Sequence, residues 1–96
     1  MKKFVYLYHG WGDASQTGMD AWTAWFGEIG ESIVDSGNPF GPGKAVTAHG
    51  STDLPTGPDA ITGYTIVNAE SMDAAEKLLT NCPMGSSVSV YEAVPM

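Results

Sequence analysis

Residues 61–94, ITGYTIVNAESMDAAEKLLTNCPMGSSVSVYEAV, read as strand, helix, strand. Residues 61–67 are rich in β-branched and aromatic side chains, which suit a pleated, packed surface. Residues 68–71 supply turn and capping types. Ala74, Ala75, Leu78, Leu79 and Cys82 recur at helical spacing. Pro83 ends that helix, because it has no N–H and clashes with the preceding turn. Gly85 and two serines make a turn. Val88, Val90 and Val94 then alternate with Ser89, Tyr91 and Ala93, a strand of period two. A helix between two strands has to bury its apolar stripe against a sheet.

The first half repeats this order. Residues 3–9, KFVYLYH, form a strand with Phe4, Tyr6 and Tyr8 on one face and Val5, Leu7 and His9 on the other. Both faces are largely apolar, so both are expected to be covered. Residues 10–13, GWGD, are a loop. Thr17 with Asp20 resembles a capping box. The following helix is expected to run to about residue 35. Its arc is Met19, Trp22, Phe26, Ile29 and Ile33, with Trp25 on the edge. Gly27 and Gly30 lie inside it at a cost of about 1 kcal/mol each. Gly37 caps it, and Asn38-Pro39 prevents extension. Residues 44–49, KAVTAH, are a short second strand. Residues 50–60, GSTDLPTGPDA, are a loop.

The order is therefore β-α-β-β-α-β within one domain, residues 1–96. This is an α+β chain whose compact solution is ferredoxin-like. A four-stranded antiparallel sheet carries both helices on one face, with strand order 4-1-3-2. The first strand is then central, and its second face is open. A contiguous apolar sheet face marks an interface. Two such faces packed together give a homodimer through the open sheet face.

Charge excludes several partners. Four Lys and no Arg stand against 11 acidic residues, a net charge of −7. Phosphate backbones need clustered cations, so nucleic acid is not an expected partner. Anionic membrane surfaces are disfavoured for the same reason, and no apolar run is long enough to span a bilayer. The apolar run near the start stops at His9 and suits a strand better than a signal peptide. Cys82 is the sole cysteine, so no intrachain disulfide forms, which fits a cytoplasmic setting.

Two kinds of residue are candidates for chemistry. His9 and His49 each end a predicted strand, and a histidine serves as acid or base near neutral pH. Asp13 or Asp20 would orient His9 if the loop folds back. The bland reading makes both histidines surface or hydrogen-bonded strand-end residues. Trp11, Trp22, Trp25, Phe26 and Tyr64 are the candidate lining of a cavity between first helix and sheet, suited to a small apolar or aromatic ligand. The competing reading places Trp22 and Phe26 in the core. Two isolated histidines do not make a metal site. The glycines follow no nucleotide-binding pattern, so no cofactor is expected. Cys82 closes a helix, where the dipole disfavours a thiolate, and is expected to be structural.

The chain resembles the YCII-related family, including its DGPF-type branch, within the dimeric α/β-barrel superfamily. The likeness rests on KKFVYLYHG, on GPGKAV, and above all on residues 61–94. There it lies in Gly63-Tyr64, the helix start Met72-Asp73-Ala74-Ala75, the Cys82-Pro83 ending and the final Val-rich strand. The resemblance implies a homodimer with facing sheets and a cleft in each protomer between sheet and helices. Some members of the family use a His on the first helix and an Asp before the proline that ends the second. Here the corresponding stretch MDAWTAWF has no histidine, and Cys82 precedes Pro83. Neither partner is matched, and Asp-Gly-Pro-Phe is absent. Three functions stay open: a homodimeric binder of a small apolar or aromatic molecule, a small isomerase- or lyase-type proton shuttle using His9 or His49, and a non-catalytic dimerisation module.

Overall fold

In a computed structural model describing residues 1–12 and 15–96, apart from the Gln16 side chain, the main sheet has four antiparallel strands. They are β1 (Lys2–His9), β2 (Ile33–Asp35), β5 (Ile61–Ala69) and β6 (Ser87–Glu92). Their order across the sheet is β2-β5-β1-β6. Counting only these four strands, the order from the other edge is fourth, first, third, second, as in the ferredoxin-like fold. The helices are α1 (Gln16–Glu28) and α2 (Met72–Lys77).

The expected second strand is displaced. Residues 44–49 do not join the main sheet. Instead β3 (Lys44–Thr47) pairs with β4 (Gly50–Asp53) in a separate hairpin, so part of the expected loop is strand. The edge position is taken by β2, carved from the end of the expected first helix. That helix stops at Glu28, and residues 30–32 form a single 3-10 turn. The two glycines weaken the helix there. The β-branched Ile33 and Val34 gain ladder pairing instead, with Ile33 opposite Val67. The N-cap is also earlier than expected: the Ser15 hydroxyl, and not Thr17, accepts from the Gly18 N–H.

The alternation of β1 decides where the core lies. Phe4, Tyr6 and Tyr8 are buried on the helix side, opposite Val67, Thr65 and Gly63 of β5. Trp25, Ile29 and Ala75 complete the core from the helices. The helix face is rotated from the expected arc. Trp25 is 1% exposed, whereas Met19 is 59% exposed and Trp22 and Phe26 are only half buried.

Buried polar atoms find partners. The Tyr6 hydroxyl donates to the Ala75 carbonyl at 2.5 Å, and the Trp25 indole N–H donates to the Leu78 carbonyl at 2.9 Å. Both acceptors lie where the last carbonyls of α2 lack helical partners.

Trp25→Ala should therefore destabilise the fold by about 3–5 kcal/mol. Met19→Ala should stay within about 0.5 kcal/mol. Urea unfolding of the two variants checks this; equal losses would contradict the observed helix rotation.

Candidate functional site

A cavity of about 550 Å³ opens between α1 and the sheet. Trp22, Thr23 and Phe26 come to it from α1, and Tyr8, Gly63 and Thr65 from the two central strands. The loop at residues 36–39 closes one side, and Trp11 stands at the other beside Gly85. The chain builds this space through two glycines. Gly37 has φ +79°, and a Cβ there would lie 1.7 Å from the Tyr64 carbonyl oxygen. Gly63 lets the same loop approach: a Cβ would stand 3.1 Å from the Asn38 carbonyl oxygen. Pro39 forms an isolated bridge to Gly63.

Trp22 is the hub of the aromatic wall. Its ring meets Tyr8 edge-on at 5.1 Å between centroids and lies 5.7 Å from Phe26. Such tilted and edge-on pairs suit the charge distribution of aromatic rings. Behind this wall the hydroxyls form a directed chain. Tyr8 donates to the Thr65 oxygen at 2.8 Å, and Thr65 donates to the Ser36 carbonyl at 2.9 Å. Thr62 donates to the Gly10 carbonyl at 2.9 Å. None of the described lining residues is Asp, Glu, Lys, Arg or His. Burial is the main force that raises the Tyr8 pKa.

The expected site residues separate into groups. Trp11, Trp22 and Phe26 border the cavity. Trp11 is exposed at its mouth. Trp25 does not border it; it fills the core behind Trp22, which reverses the expected division between core and lining. Tyr64 borders the cavity along its strand, but alternation puts its ring on the other face of the sheet. That ring stacks on Phe40, and its hydroxyl donates to the Asp35 carboxylate at 3.2 Å.

Neither histidine borders the cavity. His9 shares parity with Val5 and Leu7, and because Phe4, Tyr6 and Tyr8 take the helix side, its ring lies on the opposite face. His9, a candidate acid or base at the end of β1, therefore does not reach the cavity. Its Nδ1 lies 2.8 Å from the Asp59 carbonyl oxygen, so this nitrogen donates. In the neutral ring Nε2 then accepts from the Ser89 hydroxyl at 2.7 Å. Asp13, one suggested partner of His9, lies outside the described residues. His49 is exposed at the tip of the β3–β4 hairpin.

The sequence pattern does not mark Tyr8, Thr62, Thr65 or residues 36–39 as site residues. Tyr8 carried a usable signal, since it shares parity with Phe4 and Tyr6. The others depend on which strand takes the sheet edge, which the sequence pattern misplaced.

Among the described residues, no group of three or more His, Cys, Asp or Glu is placed to hold a metal ion. No helix of the described residues is long and apolar enough to cross a membrane.

No protein-family model and no curated protein matches the sequence. Among solved structures, the chain is similar to 5-chloro-2-hydroxyhydroquinone dehydrochlorinase (TftG) from Burkholderia phenoliruptrix AC1100, in complex with 2,5-dihydroxybenzoquinone. The identity is 19% and the TM-score 0.56, over 93% of this chain and 90% of that one. At that identity the likeness is one of fold, and it agrees with the ferredoxin-like α+β architecture.

Burial raises three weak acids in this region. Tyr6 is pushed up to about 12 by desolvation and then by the nearby Cys82, and Tyr8 is raised further. The Cys82 thiol is pushed up to about 12 by burial, so it stays protonated at neutral pH. Each group binds its proton more tightly folded than unfolded. Stability should therefore be full below about pH 9 and fall as pH rises from about 9 toward 12. Denaturant midpoints measured across that window check the sign; a midpoint unchanged up to pH 12 would contradict it.

Proposed function

We propose that the protein is a YCII-like homodimer that binds one small, planar, uncharged aromatic molecule in the cavity between α1 and the sheet. The observation that carries this reading is the aromatic cavity wall, combined with described lining residues that include no carboxylate, ammonium or imidazole. Its volume suits one small ligand. Tyr8, Trp22 and Phe26 supply flat apolar surface for a ring. A charged ligand would lose its hydration with no opposite charge among those residues to replace it. The fold neighbour TftG was solved with 2,5-dihydroxybenzoquinone, a molecule of comparable shape.

The same lining argues against a proton shuttle in this cavity through either histidine. His9 is on the opposite sheet face with both ring nitrogens engaged, and His49 is on the hairpin.

Calorimetric titration with 2-naphthol should show saturable binding, and 2-naphthalenesulfonate should bind at least about tenfold more weakly. Trp22→Ala should weaken 2-naphthol by about tenfold or more, whereas His49→Ala should leave it unchanged. Absence of 2-naphthol binding at millimolar concentration would reject the reading.

Dimerisation rests on the other face of β1. Val5, Leu7 and Ile66 lie together there, flanked by Tyr64 and Tyr91. Sedimentation at micromolar concentration should give twice the 10.1 kDa chain mass. Leu7→Lys should return the monomer, since a buried charge without a partner opposes association. A wild-type monomer would refute the interface.

A further inference from the structure

We infer that the cavity selects ligands that donate a hydrogen bond, such as phenols, over ligands of equal shape that only accept one. This deepens the proposed binding function and rests on it. The protein's own acceptors fix the direction of the hydroxyl protons around the cavity.

A backbone carbonyl can only accept. Thr65 bonds the Ser36 carbonyl at 2.9 Å, so its proton points there. The Tyr8 hydroxyl, 2.8 Å from the Thr65 oxygen, must then be the donor of that pair. Thr62 sits between the carbonyls of Gly10 and Tyr8, at 2.9 and 3.3 Å, and is a donor by the same rule. Thr23 donates to the Met19 carbonyl at 3.0 Å. Tyr8, Thr23, Thr62 and Thr65, four hydroxyl-bearing residues of the lining, therefore have their protons committed within the protein. What each oxygen has left is acceptor capacity.

The backbone amide nearest the loop is committed too, because the Gly37 N–H donates to Asp35 at 2.9 Å. The other side-chain N–H donors of the lining are on residues that are not buried: Trp11 and Asn38 are exposed, and Trp22 is half buried. Buried polar surface in this cavity is thus acceptor-rich. A ligand hydroxyl that donates to it gains a bond. A ligand that offers only lone pairs places acceptor against acceptor and loses its water without replacement.

Tyr8 is the principal candidate acceptor, because its ring also meets Trp22 edge-on and so forms part of the wall against which a ring would lie. A neutral phenol oxygen whose own proton is already given to Thr65 is the better acceptor for it, since chains of hydrogen bonds polarise one another.

The test uses the wild-type protein and three ligands of nearly one shape: 2-naphthol, 2-methylnaphthalene and 2-methoxynaphthalene. The first donates, the second does neither, and the third only accepts. Calorimetry and tryptophan fluorescence should both find 2-naphthol about tenfold tighter than either of the others. In Tyr8→Phe that advantage should shrink while the binding of 2-methylnaphthalene is retained. If 2-naphthol binds but 2-methylnaphthalene or 2-methoxynaphthalene binds as well or better, the donor preference is overturned and the aromatic binding site still stands. If 2-naphthol does not bind at all, the binding site itself is rejected and the preference with it.

Discussion

Two aromatic side chains hold this fold together through α2. That helix has six residues, too few to be stable alone. Its last carbonyls would be left without partners. The Tyr6 hydroxyl and the Trp25 indole N–H reach those of Ala75 and Leu78, from the central strand and from α1 respectively. Each ring is fully buried, so each donor would be costly to leave unpaired. The same two contacts satisfy the rings and anchor the helix. They also tie three elements that are far apart in the chain: β1, α1 and α2.

The cavity follows from that anchoring. With Trp25 directed toward α2, the neighbouring side chains on α1 cannot also fill the space over β5. Trp22 and Phe26 therefore lean on the core from one side and leave their other surfaces over the cavity. The loop at residues 36–39 determines how far the space extends, and its approach depends on Gly37 and Gly63. A side chain at either position would push the loop outward. The site is thus made by what the core does not fill, and its polarity is set by hydroxyls whose first duty is to satisfy backbone carbonyls.

The fold class was legible in the sequence because residues 61–94 carry strong local signals that agree with one another. β5, α2 and β6 appear close to where those signals put them, although α2 is shorter than the apolar spacing suggested. The rest depended on competition between segments. KAVTAH and SIVD both suit a short edge strand, and pattern alone does not say which one reaches the sheet. Ile33 does so because Val67 is available opposite it, whereas Lys44 and Asp53 pair with each other in an exposed hairpin. The aromatic residues of α1 pose a similar problem. Trp22, Trp25 and Phe26 fall within one turn, and a small rotation of the helix exchanges core for lining. The observed rotation brings the Trp25 N–H to the Leu78 carbonyl, a partner that no reading of α1 by itself includes.

His9 shows how one strand parity divides the molecule. With Phe4, Tyr6 and Tyr8 turned to the helices, the ring of His9 stands on the opposite face and bonds Asp59 and Ser89. Around it the Gly10 N–H donates to the Ala60 carbonyl and the Ser86 N–H to the His9 carbonyl, both at 2.9 Å. These bonds join the end of β1 to the segments that precede β5 and β6. The imidazole, held with Nδ1 protonated, is one more bond in that junction. Tyr8, the residue before it, is directed into the cavity wall instead. The sheet therefore separates an imidazole-bearing face from one whose described lining has no Asp, Glu, Lys, Arg or His. That separation leaves the hydrogen-bond polarity of the described cavity wall to hydroxyls held by backbone carbonyls.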